Sequence, residues 1–187
     1  QGGRVLNYDG RITGTKDYQD ISDSDVVVVT SGFPRKPGMS REDLIGKNAE
    51  IITQVGNGIS QFAPDAVVIV VTNQSGIARG YFSLADLDNL HQWMNIELQA
   101  NNAKIDKFYF CPHYPDGVVE KYSFKCSCRK PKPGMILKAF EDWPIITSKS
   151  ILIGDKKTDL DAAEAAGIQG HLYKEGNLLN FLKKILI

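Results

Sequence analysis

The chain has 187 residues, the size of one ordinary domain with room for a sizeable hydrophobic core. Lysine and arginine number 22 and aspartate and glutamate 22, so the formal net charge of zero argues against binding nucleic acid through a broad positive surface. The longest purely apolar run, residues 66–71, is too short to cross a bilayer, and no signal peptide opens the chain. We therefore expect a cytoplasmic protein with no nucleic-acid or membrane partner. Its oligomeric state is not encoded in these patterns, and a monomer is the expectation.

Short β-branched runs alternate with longer amphipathic segments along the chain. The pattern predicts strands over residues 25–30, 66–72, 107–111, 150–154 and 170–173. It predicts helices over residues 40–62, 83–102, 134–141, 157–166 and 178–185, an ambiguous edge strand over 11–15, and irregular chain over 112–133. Fully apolar strands that alternate with helices indicate a parallel sheet covered on both faces. The predicted fold is therefore a doubly wound α/β domain with three layers, whose functional loops follow the carboxyl ends of the strands.

A cluster of metal-binding residue types lies in the predicted irregular region. Cys111-x-His113 followed by Cys126-x-Cys128 offers four nitrogen and sulfur ligands, the number that a closed tetrahedral Zn²⁺ site needs. The polar loop between the two pairs has no core of its own, so a metal ion would stabilise it. The alternative is three unrelated buried thiols, and a disulfide between Cys126 and Cys128 would be strained.

Polar residues also follow the second and fourth predicted strands. Thr72 opens a glycine-containing loop that could hold a phosphate through its hydroxyl and backbone amides, although threonine and asparagine are also ordinary turn formers. Asp155 and Asp159 follow the fourth strand, where a hard cation such as Mg²⁺ prefers oxygen ligands, although aspartate also caps helices. The cationic segment 129–132 could bind an anionic substrate or be a solvated basic loop.

Four motifs, taken in order, resemble the haloacid-dehalogenase (HAD) superfamily and, more narrowly, its heptose 1,7-bisphosphate phosphatases, which are close to the histidinol-phosphate phosphatases. The motifs are Val71–Ser83 (VTNQSGIARGYFS), Cys111–His113 (CPH), Cys126–Met135 (CSCRKPKPGM) and Ile151–Asp159 (ILIGDKKTD). The resemblance covers residues 66–187. It implies a magnesium-dependent phosphatase acting on a small sugar phosphate, through an aspartate nucleophile that forms an aspartyl-phosphate and a second aspartate that serves as general acid and base.

The resemblance also implies residue roles. Thr72 would hold the phosphoryl group, with the substrate site lined by Asn73, Gln74 and Ser75. Lys130 would neutralise the developing charge, and Arg129 would contact the substrate. Asp155 would bind Mg²⁺, with Lys156 as a backbone or first-turn contact, and Asp159 would support the site without touching the substrate. Structural Zn²⁺ would be held by Cys111, His113, Cys126 and Cys128.

The nucleophile of that family is missing from its expected place. The family requires Asp-x-Asp at the end of the first core strand, but residues 25–30 are followed by Ser31 and Gly32. The segment around Asn7 and Asp9 imitates the motif with an asparagine in the first position, and it lies one strand too early. Asp9 is therefore only a weak candidate nucleophile, and we expect weak or absent activity.

Residues 11–73 instead resemble malate dehydrogenase of the lactate-dehydrogenase-like type. The matching segments are Thr13–Tyr18, Ser24–Leu44 and Val70–Asn73. The resemblance implies that Arg35 and Arg41 bind a dicarboxylate, for which the guanidinium fork is suited, and that Asn73 contacts substrate and nicotinamide. The Gly-x-Gly-x-x-Gly turn that receives a dinucleotide pyrophosphate is absent from this sequence, which disfavours an NAD-dependent oxidoreductase.

The two resemblances meet at Val70–Asn73, a segment common to both. We therefore predict a chimera of two Rossmann-like α/β proteins joined at an equivalent parallel strand, with residues 1–73 like malate dehydrogenase and residues 66–187 like a HAD phosphatase. The joined parts would form a single domain carrying the zinc loop 111–128. A zinc-stabilised scaffold without catalysis is the third interpretation.

Overall fold

The strands of the protein form one parallel sheet in a computed structural model that describes residues 26–30, 66–100, 103–174 and 181. The strands are β1 (Val26–Thr30), β2 (Val67–Asn73), β3 (Lys107–Cys111), β4 (Ser150–Gly154) and β5 (Gln169–Leu172). The helices are α1 (Leu84–Gln99), α2 (Gly134–Asp142) and α3 (Lys157–Ala165), with 3₁₀ turns at Glu120–Tyr122 and Thr147–Lys149. Within these described ranges, no helix is long and apolar enough to span a bilayer.

The sheet has the strand order β3-β2-β1-β4-β5, and every described pairing is parallel. The chain therefore builds outward from β1 through β2 to β3, then crosses over β1 to form β4 and β5. Because such crossovers are right-handed, α1 lies on one face of the sheet, and α2 and α3 lie on the other. Along the chain, β1 is followed by its neighbour on one side, β2, whereas β4 is followed by β5 on the other side, and such a reversal in strand order marks the crevice where open α/β sheets bind ligands.

The core forms between β2, β3, β4 and the helices on the α2 and α3 face. Alternate residues of β2 point toward this face, so Ile69 and Val71 are fully buried in one cluster with Leu152 of β4. The helices contribute apolar residues at helical spacing, which are Met135, Ile136, Ala139, Ala162 and Ala163. Small alanines on α3 let that helix approach the sheet closely, which fixes the carboxyl end of β4 beside it.

The predicted elements agree with the structure to within one residue wherever the structure describes them, except that the helix predicted over 83–102 ends at Gln99. The predicted α1 begins after Ser83, which accepts a hydrogen bond from the Asp86 backbone amide, while the Asp86 carboxylate accepts one from the Ser83 amide. The segment 112–133, predicted to be irregular throughout, contains the 3₁₀ turn at Glu120–Tyr122. The predicted helix over 40–62 and edge strand over 11–15 lie outside the described residues, as does the helix over 178–185 apart from helical Phe181.

Candidate functional site

The carboxyl ends of β1, β2 and β4 lie side by side and define the candidate site. Thr30, the last residue of the central strand, is level with Gly154 at the end of β4. β2 is the neighbour of β1 on the other side, in the register Val29 to Val70, and it ends in Thr72 and Asn73. The sequence placed Thr72 and Asp155 at strand ends, and the parallel register brings those ends to one edge of the sheet.

A buried lysine links β2 to α3 at this edge. The Lys130 side chain is 8% exposed, and its ammonium donates to the Val71 carbonyl at 2.8 Å and pairs with the Asp159 carboxylate at 2.6 Å. Burial lowers the pKa of Lys130, whereas the charge of Asp159 and the hydrogen bond that Lys130 donates to it act in the opposite direction. An ammonium has three protons, and contacts among the described residues use two of them. The third remains available for an incoming oxygen.

Asp159 is fixed from a second direction. Its other carboxylate oxygen accepts a hydrogen bond from the Lys156 backbone amide at 3.0 Å, as a side chain in the first turn of a helix can. The backbone or first-turn contact that the resemblance implies for Lys156 at the Mg²⁺ site stays a prediction. A Cβ on Gly154 would lie 2.7 Å from the Asp159 Cγ, so only glycine lets the carboxylate pack against the end of β4.

Asp155 is the half-buried carboxylate nearest the end of β4. Burial raises its pKa, Lys156 lowers it and Asp159 raises it. A cation bound to Asp155 would favour the charged carboxylate, so this residue fits a Mg²⁺ ligand. Thr72 is half-buried and its hydroxyl accepts a hydrogen bond from the Gln74 side chain at 3.2 Å, which leaves the hydroxyl proton free to be donated.

The four predicted zinc ligands do come together. The ligand atoms of Cys111, His113, Cys126 and Cys128 all lie within 4.8 Å of one another. The three sulfur–sulfur separations are 3.1–3.4 Å, and His113 Nδ1 lies 3.3 Å from the Cys128 sulfur. Ligands around a tetrahedral Zn²⁺ stand about 3.8 Å apart when Zn–S bonds are about 2.3 Å. The cluster is thus slightly contracted and could hold a metal ion.

Burial favours the neutral forms of three of the four ligand groups in this cluster. Burial raises the pKa of the Cys111 and Cys128 thiols, and it lowers the pKa of His113, which favours the neutral imidazole that binds metals. For Cys126, burial acts to raise the pKa, but hydrogen bonds from the neighbouring thiols and amides lower it overall. A metal ion would deprotonate all three thiols, because it replaces an apolar environment by a divalent charge.

The loop residue Arg129 lies against an aromatic ring that sequence reasoning missed. Its guanidinium lies 5.6 Å from the Tyr114 ring centroid and donates to the His113 carbonyl at 3.3 Å. Arg79 lies over the same ring at 4.0 Å. No described carboxylate pairs with either arginine. No local pattern predicts this contact, because Tyr114 follows β3 while Arg79 follows β2.

For several predicted site residues, the structure shows no contact with the Lys130–Asp159 pair at the carboxyl ends of the strands. Ser75 lies in the turn after β2, where its carbonyl accepts from the Arg79 amide at 3.0 Å. Asp9, Arg35 and Arg41 lie outside the described residues. The end of the central strand is described, and it is a threonine, Thr30, where a HAD nucleophile would be an aspartate.

Family models divide the chain in the order that the sequence predicts. A model of the NAD-binding domain of lactate/malate dehydrogenase matches residues 2–83. A HAD-hydrolase-like model matches residues 127–179. The two matches confirm both resemblances and support the predicted chimera.

Curated relatives identify the HAD-like part more closely. D-glycero-β-D-manno-heptose-1,7-bisphosphate 7-phosphatase of Rhodopseudomonas palustris is 37% identical over 171 residues, covering 85% of this chain and 95% of the relative. This alignment covers more of the chain than residues 66–187, so it extends into the N-terminal third. The enzyme of that name from Escherichia coli K12 is 46% identical over 101 residues, covering 54% of this chain and 53% of the relative. Several such relatives are matched over only about half of their length.

Solved structures give the same class. The D,D-heptose 1,7-bisphosphate phosphatase of B. bronchiseptica, determined with magnesium and phosphate, has a TM-score of 0.64 at 28% identity and covers 82% of each chain. The parallel sheet with a lysine–aspartate pair at its carboxyl edge is therefore that of a HAD-type phosphatase. Within that class, the extent of the Rhodopseudomonas match shows that the chain belongs to the heptose-1,7-bisphosphate 7-phosphatase family.

Proposed function

We propose that this chain binds the phosphoryl group of a sugar phosphate, as a heptose 1,7-bisphosphate phosphatase does, and hydrolyses it weakly or not at all. The observation that carries the proposal is the buried ammonium of Lys130, held by Val71 and Asp159, which leaves one proton without a partner among the residues that the structure describes. A buried cation fixed in this way neutralises an anion more effectively than a solvated lysine, because water does not screen it.

The remaining contacts to the phosphoryl group come from the same edge. Thr72 donates its hydroxyl proton to a phosphoryl oxygen, and Asp155 holds Mg²⁺, which supplies further positive charge at the phosphoryl oxygens. Asp159 keeps Lys130 charged by pairing with it. Arg129, supported on the Tyr114 ring, provides a second cation for the substrate.

Weak hydrolysis follows from the residue at the end of β1. The covalent route needs an oxygen nucleophile with a low pKa at that position, and the Thr30 hydroxyl is a poor one. The site then binds and polarises a phosphate ester without an efficient way to break it. Residual acceleration comes from positioning and charge alone.

We further propose that the ion in the cysteine–histidine cluster is Zn²⁺ and that its role is structural. Three thiolates and one neutral imidazole form a closed soft donor set with no position left for a substrate. The three free thiols suit the reducing cytoplasm, where we place the protein as a monomer acting on a small molecule, with no nucleic-acid or membrane partner.

The phosphatase proposal is tested with heptose 1,7-bisphosphate and Mg²⁺, using phosphate release and, separately, calorimetric binding of inorganic phosphate. We expect release at least about a thousandfold slower than by the Rhodopseudomonas relative assayed beside it, with clear phosphate binding. Lys130→Met should weaken that binding by well over tenfold while leaving it measurable, whereas Lys104→Met, which removes an exposed lysine distant in sequence, should preserve it. Lack of phosphate binding by the unmodified chain would refute the proposal. Fast release that is lost in Asp155→Asn would show that a nucleophile exists, with Asp9 the first candidate.

The zinc proposal is tested by elemental analysis of protein purified without added metal. We expect about one zinc per chain, none in Cys128→Ser, and full occupancy in Ser127→Ala, which changes the exposed residue between the two loop cysteines. Iron in place of zinc, or equal metal content in all three proteins, would contradict the assignment.

A further inference from the structure

We propose that Asn73 is a positioning residue that holds Lys130 in place for the phosphate, rather than a residue that binds the substrate. The inference rests on the proposed function, because it concerns the lysine assigned there to the phosphoryl group. It differs from the role that the family resemblance implies for Asn73, which is to line the substrate site.

Both polar atoms of the Asn73 side chain are directed at the backbone of one residue, Lys130. Its amide nitrogen donates to the Lys130 carbonyl at 3.1 Å, and its amide oxygen accepts from the Lys130 backbone N–H at 3.0 Å. The two bonds close a ring between residues 57 positions apart in the sequence. An amide rotated toward a substrate would break both bonds and leave two half-buried backbone groups unpaired.

The strand that carries Asn73 also holds the other end of the lysine. The Lys130 ammonium donates to the carbonyl of Val71, two residues before Asn73 on β2. Asn73 itself is fixed by the pairing of β2 with β3, where it lies opposite Cys111. Lys130 is therefore attached to β2 at its backbone and at its ammonium, and the distance between these attachments sets where its unused proton can point.

Removing the backbone attachment should therefore weaken phosphate binding through Lys130. Asn73→Ala removes both hydrogen bonds to the Lys130 backbone, so the loop that carries Lys130 becomes more mobile. Phosphate binding must then order the ammonium, which costs conformational entropy. We expect inorganic phosphate to bind about tenfold more weakly, measured by calorimetry. In Lys130→Met the same substitution at Asn73 should cause no additional loss, because the group through which Asn73 acts is gone.

The chain offers a matched control in Asn95. This residue makes the same pair of bonds to another backbone, donating to the Ile105 carbonyl at 3.1 Å and accepting from the Ile105 N–H at 2.9 Å. Asn95→Ala removes an equivalent pair of hydrogen bonds just before the start of β3, away from the carboxyl ends of the strands. We expect it to lower the thermal unfolding midpoint about as much as Asn73→Ala while leaving phosphate affinity unchanged.

Asn73→Asp provides a second variant that keeps the size and the acceptor. A residue that only holds the Lys130 N–H retains part of its function as aspartate, so phosphate affinity should fall no further than in Asn73→Ala. If Asn73 contacted the phosphate directly, the added negative charge would repel it, and binding would disappear in a protein with unchanged unfolding midpoint. That result would overturn the inference, as would additive losses in the variant carrying both Asn73→Ala and Lys130→Met.

These outcomes separate the inference from the proposed function. Unchanged phosphate affinity in Asn73→Ala together with weakened affinity in Lys130→Met would overturn the positioning role alone. Unchanged affinity in Lys130→Met would overturn both.

Discussion

At the scale of single residues, the candidate site depends most on the buried ion pair between Lys130 and Asp159. A buried ion pair adds little net stability compared with an apolar pair, because both charges lose their hydration. Removal of one partner is costly, since it leaves the other charge buried and unpaired. The pair therefore keeps a cation at the sheet edge, where we propose that it binds phosphate.

Asp159→Asn should destabilise the protein strongly. It removes the charge that balances Lys130, and breaking a buried pair in this way costs about 3–5 kcal/mol. Urea unfolding followed by circular dichroism measures the free energy. Lys104→Met breaks a pair whose lysine is 70% exposed, and it should cost less than about 1 kcal/mol. Similar losses in the two variants would show that the Lys130 pair is well solvated.

His91 should make the protein less stable in mild acid. Its ring stacks on Phe108 at 3.9 Å, and burial lowers its pKa from 6.5 while Asp88 raises it. As the pH falls below about 6.5, His91 becomes protonated in the unfolded chain while it stays neutral in the folded chain. The free energy of unfolding therefore decreases as the pH decreases. His91→Phe keeps the stacked ring without the proton. Its unfolding midpoint relative to the original chain should therefore be higher at pH 5.5 than at pH 7.5, and an equal difference at both pH values would contradict this.

At the scale of elements, the ends of strands and the starts of helices could be read from the sequence, whereas the contacts between them could not. β3 and β4 have the predicted bounds because apolar runs end at polar residues and prolines. The attachment of Lys130 to β2 joins two residues that are 57 positions apart in the sequence. It depends on the path of the loop 112–133, which no local pattern encodes. The sequence identified the metal ligands only because four soft donors occurred in one loop.

The junction between β4 and α3 should not tolerate a methyl group. Gly154→Ala places a Cβ 2.7 Å from the Asp159 Cγ, within a helix turn that cannot move freely. We expect destabilisation of about 1–3 kcal/mol, together with loss of phosphate binding because Asp159 is displaced from Lys130. Gly167→Ala tests the effect of a backbone at φ +76 with no neighbour to clash, and it should cost stability without loss of binding. Retained phosphate binding in Gly154→Ala would show that Asp159 can shift.

At the scale of the whole molecule, a central strand resembling one protein family lies between strands resembling another. β1 pairs with β2 over four residues and with β4 over five, so the foreign strand is fully integrated into the sheet. The sequence predicted a doubly wound parallel sheet but not the order of its strands, because an apolar run can pair with any other apolar strand. The consequence is chemical: the central strand ends in Thr30 and not in a carboxylate, while β2 and β4 carry the residues that we propose to bind phosphate.

Restoring a carboxylate at that strand end should restore a covalent step. Thr30→Asp places an aspartate level with Gly154, beside Asp155. Because the general acid two residues on is still missing, we expect stoichiometric, magnesium-dependent release of one product from heptose 1,7-bisphosphate, followed by slow turnover. A rapid-quench assay measures the burst, and Thr30→Asn is the isosteric control. Equal time courses for the two variants would place the nucleophile position elsewhere.

The crowding of sulfur atoms around the metal position has a practical consequence for handling the protein. With the ion removed, the Cys111 and Cys128 sulfurs stand 3.1 Å apart, so little movement is needed for air or peroxide to oxidise them to a disulfide. Such a bond uses up two of the four donors, and added metal would no longer be captured until a thiol reductant reopened the site. If the cluster holds zinc as proposed, a chelating agent in an aerobic buffer would therefore destroy the site by oxidation, and storage would call for trace zinc or a phosphine reductant.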